Sequence, residues 1–126
     1  MTAVLVALGG ALGAVLRYWI SAAIQGNAPA GAFPWGTLIV NVGGCFAMGA
    51  LSALADRQAS LSPEARAFLA VGVLGGFTTF SAFASETMTA ARAGATQVSV
   101  WNVLASVGLC LAAVGLGRLA AAPWAR

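Results

Sequence analysis

Four apolar stretches, each long enough to cross a bilayer, leave this chain few folds to choose from. They run Val4–Ile24, Gly36–Ala55, Ala67–Ala91 and Val98–Ala121, each 20 to 25 residues long. At about 1.5 Å per residue, a helix of that length crosses a hydrocarbon core of about 30 Å. The first stretch holds only Arg17, the second no charge, the third only Glu86 and the fourth only Arg118. In lipid every backbone polar group must be satisfied within the protein, so such segments are helical. The expected class is all-α and membrane-embedded: a single domain over residues 1–126, with helices at about 4–24, 36–55, 65–92 and 98–121. Composition agrees, with 60% hydrophobic and 7% charged residues against about 25% charged in a soluble domain. The amino terminus lacks the basic start of a secretory signal and three more spans follow, so it reads as a retained first helix.

The connectors fit this division. Gln25–Trp35 carries Gly26, Pro29, Gly31 and Pro34, while Asp56–Pro63 ends in a proline followed by Glu64, a helix-start pattern. Arg92–Gln97 is a short link around Gly94. The net charge of +3 comes from six scattered arginines, which gives a nucleic-acid surface no support. There is no histidine, so the commonest general base and metal ligand are missing, and no enzyme is expected. Cys45 and Cys110 lie inside apolar spans and read as small buried side chains. Arg57, Arg66, Arg118 and Arg126 share the side of both termini, against Arg17 and Arg92 opposite. That bias leans toward cytoplasmic termini and leaves insertion in both orientations open. So short a chain encloses little space, and an oligomer is the natural expectation.

The third stretch has an unusual centre. Its midpoint is Thr79, flanked by Gly75, Gly76, Phe77, Thr78, Phe80 and Ser81. Adjacent glycines each cost a helix about 1 kcal/mol relative to Ala. Two readings stay open: a continuous helix whose hydroxyls bond back to the preceding turn, or a break lining protein or a wet cavity. A break would free carbonyl oxygens suited to a hard cation such as sodium, and half-helix amides that favour anions.

Side-chain periodicity adds to this. Phe77, Phe80 and Phe83 recur at steps of three, either as packing or as ring edges whose positive rim can face an anion. Thr37, Asn41, Cys45, Met48 and Ser52 share one face of the second helix, and Asn102, Ser106 and Cys110 one face of the fourth. Such stripes serve as interhelical glue or as donors along an ion path. Arg17 lies about 10 Å from its helix end, where it snorkels or forms a positive vestibule. Glu86, the one acid within a span, pairs, caps a polar network or carries a proton.

Three motifs, taken in order, resemble the Fluc (CrcB) fluoride channels. They are Gly9-Gly10-Ala11-Leu12-Gly13-Ala14 with Arg17-Tyr18; Gly36-Thr37-Leu38-Ile39-Val40-Asn41; and Gly75-Gly76-Phe77-Thr78-Thr79-Phe80-Ser81-Ala82-Phe83 with Glu86. The resemblance covers the first three helices; the fourth matches mainly in its polar spacing. It implies an antiparallel, dual-topology homodimer in the bacterial inner membrane, with two pores that export fluoride passively and a third helix broken near the bilayer centre. Phe80 and Phe83 would present ring edges to fluoride, and Asn41 an amide. Ser81, Thr37 and Ser106 would belong to the polar track, and Arg17 to the vestibule. The carbonyls of Gly75 and Thr78 from both subunits would hold a structural sodium ion. Ala82 and Cys110 stand where the family often has hydroxyl residues. The alternative is a proton-coupled exporter of the small multidrug-resistance type working through Glu86. That mechanism wants an acid in the first helix, where this chain has Arg17.

Overall fold

The computed structural model describes residues 1–29, 31–57 and 61–125. Arg126 and the side chain of Arg57, two of the arginines in the charge bias, lie outside the described residues. Five helices follow one another, α1 (Thr2–Gln25), α2 (Trp35–Arg57), α3 (63–77), α4 (Phe80–Arg92) and α5 (Thr96–Ala121), and a short 3-10 turn, Ala122–Ala125, follows the last. Together α3 and α4 form the segment Pro63–Arg92. With α1, Trp35–Asp56 of α2, and α5, it makes four segments long and apolar enough to cross a membrane.

Local chemistry sets the ends. Ser62 caps α3 by accepting from the Ala65 amide at 3.1 Å, with Pro63 in the first turn where its missing N–H costs nothing. The stretch Ala67–Leu74 is wound wider than an α-helix, so that the Gly75 amide reaches the Ala70 carbonyl five residues back. The link from α4 to α5 turns on Gly94, whose φ of 78° is open to glycine and costly for residues with a Cβ.

Small residues bring the helices together. α1 and α3 run parallel, and a Cβ on Gly13 would strike the Val73 carbonyl and one on Gly9 the Phe68 carbonyl at 2.6 Å. α2 and α5 also run parallel, with Gly49 pressed against the backbone of Val114 and Gly117 against that of Phe46. These are the close backbone approaches that drive association where lipid removes the hydrophobic force between helices. The buried set is correspondingly slight: Leu38, Val40 and four alanines, with polar Thr37, Ser99, Asn102 and Ser106. Large apolar side chains such as Trp19, Trp101, Leu111 and Leu119 point outward, the reverse of a water-soluble bundle. Near the carboxyl ends of α2 and α5, Asp56 and Arg118 pair at 2.8 Å with both side chains exposed.

Candidate functional site

The helical backbone ends at Phe77 and resumes at Phe80. Between them Thr78 (φ −85°, ψ 156°) and Thr79 (φ −150°, ψ 119°) are extended. The two threonine hydroxyls have different tasks. Thr78 returns both its amide and its Oγ1 to the Leu74 carbonyl at 3.0 Å, closing the end of α3. Thr79 Oγ1 instead accepts from the Ala82 amide at 3.1 Å, which caps α4, and meets Ser81 Oγ at 3.1 Å.

An extended pair between helices leaves backbone groups unpaired, and α2 supplies the partner. Asn41 Oδ1 accepts from the Thr79 amide at 2.8 Å while its Nδ2 donates to the Thr79 carbonyl at 3.0 Å. One side chain thus treats Thr79 as a neighbouring strand would. Gly44, one turn on, leaves the room this needs: a Cβ there would meet Thr78 Cγ2 and lie 3.2 Å from the Phe77 ring. From α1, Arg17 Nε donates to the Gly76 carbonyl at 3.2 Å, placing a cation on the negative end of α3.

Around this point lies a cleft of about 290 Å³ bordered by Arg17, Tyr18, Ser21, Thr37, Thr79 and Glu86. Glu86 Oε1 accepts from Thr37 Oγ1 at 2.7 Å. Its Oε2 is buried and has no hydrogen-bond partner among the described residues. Glu86 also borders a second cleft, of about 200 Å³, beneath the α1–α2 connector with Gln25, Pro29, Pro34 and Thr89. Gln25 ties that connector down by donating to the Phe33 carbonyl at 3.2 Å and accepting from the Gly36 amide at 3.1 Å.

The phenylalanine stripe divides at the extended residues, because two non-helical residues change its phase. Phe77 packs beside Gly44, whereas Phe80 and Phe83 tilt against each other with ring centres 5.3 Å apart and planes at 49°. Phe80 is 78% exposed in the single chain. Gly75, on α3, is likewise on the surface.

Ser106 sits apart from the cleft. It is buried and donates to Asn102 Oδ1 at 3.3 Å, and Asn102 Nδ2 donates to Thr87 Oγ1 at 2.8 Å. Thr87 in turn donates to the Phe83 carbonyl at 2.7 Å, and its own carbonyl accepts from Ser99 at 2.8 Å. The polar stripe of α5 therefore reads α4, and through Thr87 it touches the backbone that carries Phe83. Sequence reasoning passed over Thr87; its position four residues after Phe83 was the available signal. Both cysteine thiols are free.

Comparison with known proteins adds three facts. A family model described as "CrcB-like protein, Camphor Resistance (CrcB)" matches residues 4–118. A protein of Paramagnetospirillum magneticum named "Fluoride-specific ion channel FluC" is 47% identical over 123 residues, 96% of this chain and 95% of that one. Proteins of the same name from Shewanella pealeana (48% over 113 residues, 90% of each chain) and Rhizobium etli strain CIAT 652 (49% over 113 residues, 89% of each) are similarly close.

Proposed function

The chain belongs to the CrcB-like family, and from that premise we propose that it is a fluoride-selective channel through which fluoride leaves a bacterial cytoplasm passively across the inner membrane. The observation that carries this reading is the meeting of a tilted Phe80–Phe83 pair with a capped, extended Thr78–Thr79 beside an arginine-bearing cleft. Fluoride is small and strongly hydrated, so a path must offer donors that replace its water without a deep charge trap. Ring edges at Phe80 and Phe83, the hydroxyl of Ser81 and the second N–H of Asn41 Nδ2 are such donors. Arg17 gives the adjoining cleft a positive wall, and Thr37 engages the one acid beside it, Glu86. Ser106 serves the track indirectly, through Asn102 and Thr87.

A second copy completes the pathway in this reading. Phe80 and Gly75 are open to the surface of one chain, where an antiparallel partner would cover them, giving two pores per homodimer. A sodium ion fits the donors at that centre. The amide an unbroken helix would return to the Gly75 carbonyl goes to Asn41 instead, and Thr78 is extended, so neutral carbonyl oxygens are available to a hard cation. Gly75 and Thr78 of both copies would hold it, and when bound it supplies a fixed positive charge between the subunits. The exporter reading, by contrast, finds arginine where it requires an acid in α1.

Vesicles loaded with fluoride and reconstituted with the purified protein test the proposal with a fluoride electrode. Efflux well above that of empty vesicles is expected, with no need for a proton gradient. Efflux equal to that of empty vesicles ends the channel reading.

A further inference from the structure

The extended pair raises a question of cause. Two glycines weaken a helix, yet nothing in weak propensity dictates which carbonyls are released or where they point. The hydrogen bond from the Thr79 amide to Asn41 Oδ1, at 2.8 Å, settles both points. In an α-helix the Thr79 amide would bond to the carbonyl of Gly75, four residues back. With that amide held by α2, the Gly75 carbonyl loses its helical donor. The same amide belongs to the peptide plane whose other end is the Thr78 carbonyl. A trans peptide is flat, with N–H and C=O opposed, so fixing the N–H toward α2 aims the Thr78 carbonyl away from it. The second bond, from Asn41 Nδ2 to the Thr79 carbonyl at 3.0 Å, holds the following peptide plane, so Asn41 grips Thr79 on both sides.

From this geometry we infer that Asn41 is a positioning residue for the cation site, acting through the backbone: its amide releases the Gly75 carbonyl and aims the Thr78 carbonyl in each protomer before a partner is met. The inference rests on the sodium reading of those two carbonyls. It assigns Asn41 a task separate from donating to fluoride, since only one of its N–H groups is used on Thr79. Gly44 and Arg17 support the same arrangement by leaving room for Thr78 and by occupying the next carbonyl, that of Gly76.

The test measures sodium directly, on the full-length reconstitutable protein in detergent. Its thermal unfolding midpoint is followed against sodium concentration, with N-methylglucamine holding ionic strength constant. In Asn41→Leu, of similar bulk but without an acceptor, half-saturating sodium should rise about ten- to a hundredfold, as when a ligand-orienting partner is lost. Asn41→Asp keeps an acceptor for the Thr79 amide but loses the donor to its carbonyl, so its half-saturating sodium should lie below that of Asn41→Leu. Asn102→Leu removes a buried amide elsewhere; it should lower the unfolding midpoint and leave half-saturating sodium where it was.

An unchanged sodium dependence in Asn41→Leu overturns the positioning role. If the wild-type protein gains no stability from sodium at all, the sodium reading itself falls, and the role with it. Should Asn41→Leu yield no folded protein, hydrogen exchange at the Thr79 amide of the wild type decides. Protection equal to that of its helical neighbours is expected, and exchange at the rate of an exposed loop amide overturns the inference.

Discussion

Arg17 and Gly76 join α1 to the end of α3: the arginine Nε donates to the glycine carbonyl at 3.2 Å, at the point where helical hydrogen bonding is about to stop. The residue read as a vestibule cation is therefore also a clasp on the end of a helix. Both tasks follow from one position, because a helix terminus is negative and the adjoining cleft is where an anion would enter.

Arg17→Met keeps an unbranched chain as far as the Nε position and removes both the charge and the donor. Stability to unfolding should fall by about 1.5–3 kcal/mol, the range for a hydrogen bond from a charged donor, and fluoride efflux should fall with it. Chemical denaturation in detergent and electrode-measured efflux read the two effects. Wild-type values in both would show that Arg17 neither clasps α3 nor serves the vestibule.

Phe80→Ile removes a ring edge while keeping an apolar surface. Loss of about 1.4 kcal/mol of ion stabilisation corresponds to roughly a tenfold drop in efflux. Size-exclusion chromatography should show the oligomer unchanged. Full flux in a well-folded Phe80→Ile protein would remove the ring-edge role.

The glycines divide into two classes that a melting experiment can separate. Gly13→Ala places a methyl group on the Val73 carbonyl and Gly49→Ala one on that of Val114, so each should lower stability by about 1–3 kcal/mol or more. Gly115 faces open space in the single chain, where alanine should be neutral or gain up to about 1 kcal/mol from helix propensity. Equal tolerance at all three positions would mean the close helix approaches are not what holds the bundle.

Arg118→Gln breaks the ion pair with Asp56 at 2.8 Å. Both side chains are about half exposed, so screening limits the pair to under about 1 kcal/mol. Melting temperature and efflux should both remain near wild type. A large loss in either would assign this end of the molecule a task that its geometry does not suggest.

Much of the framework was legible from the chain alone. Four spans follow from hydropathy and length, and Pro63 followed by Glu64 announces the start of the third, while the Ser62 cap before it emerged only in the structure. Less was legible where a residue's partner is distant in sequence. The polar stripe of α2 was visible, yet one face holds two contacts of unlike kind. Thr37 bonds to the Glu86 carboxylate and Asn41 to the Thr79 backbone, 49 and 38 residues away. Periodicity reports which face a residue occupies and says nothing about what that face meets. Likewise Phe77 kept step with Phe80 and Phe83 in the sequence, and only the extended threonines between them set it apart. Ser106 carried the right chemistry for a donor track; its bond to Asn102 was hidden because hydroxyl glue and hydroxyl path look alike in one dimension.

The third span also carries more length than a bilayer needs. From Arg66 to Arg92, two charged residues that belong near opposite interfaces, the path through α3, the extended pair and α4 is about 40 Å against a hydrocarbon thickness of about 30 Å. Hydrophobic mismatch of that size is taken up by tilt. A straight rod would lean as one piece, whereas a rod jointed at Thr78–Thr79 leans in two halves. Lipid chain length would then bear on the angle of that joint, as a mechanical load on the two residues whose backbone departs from the helix.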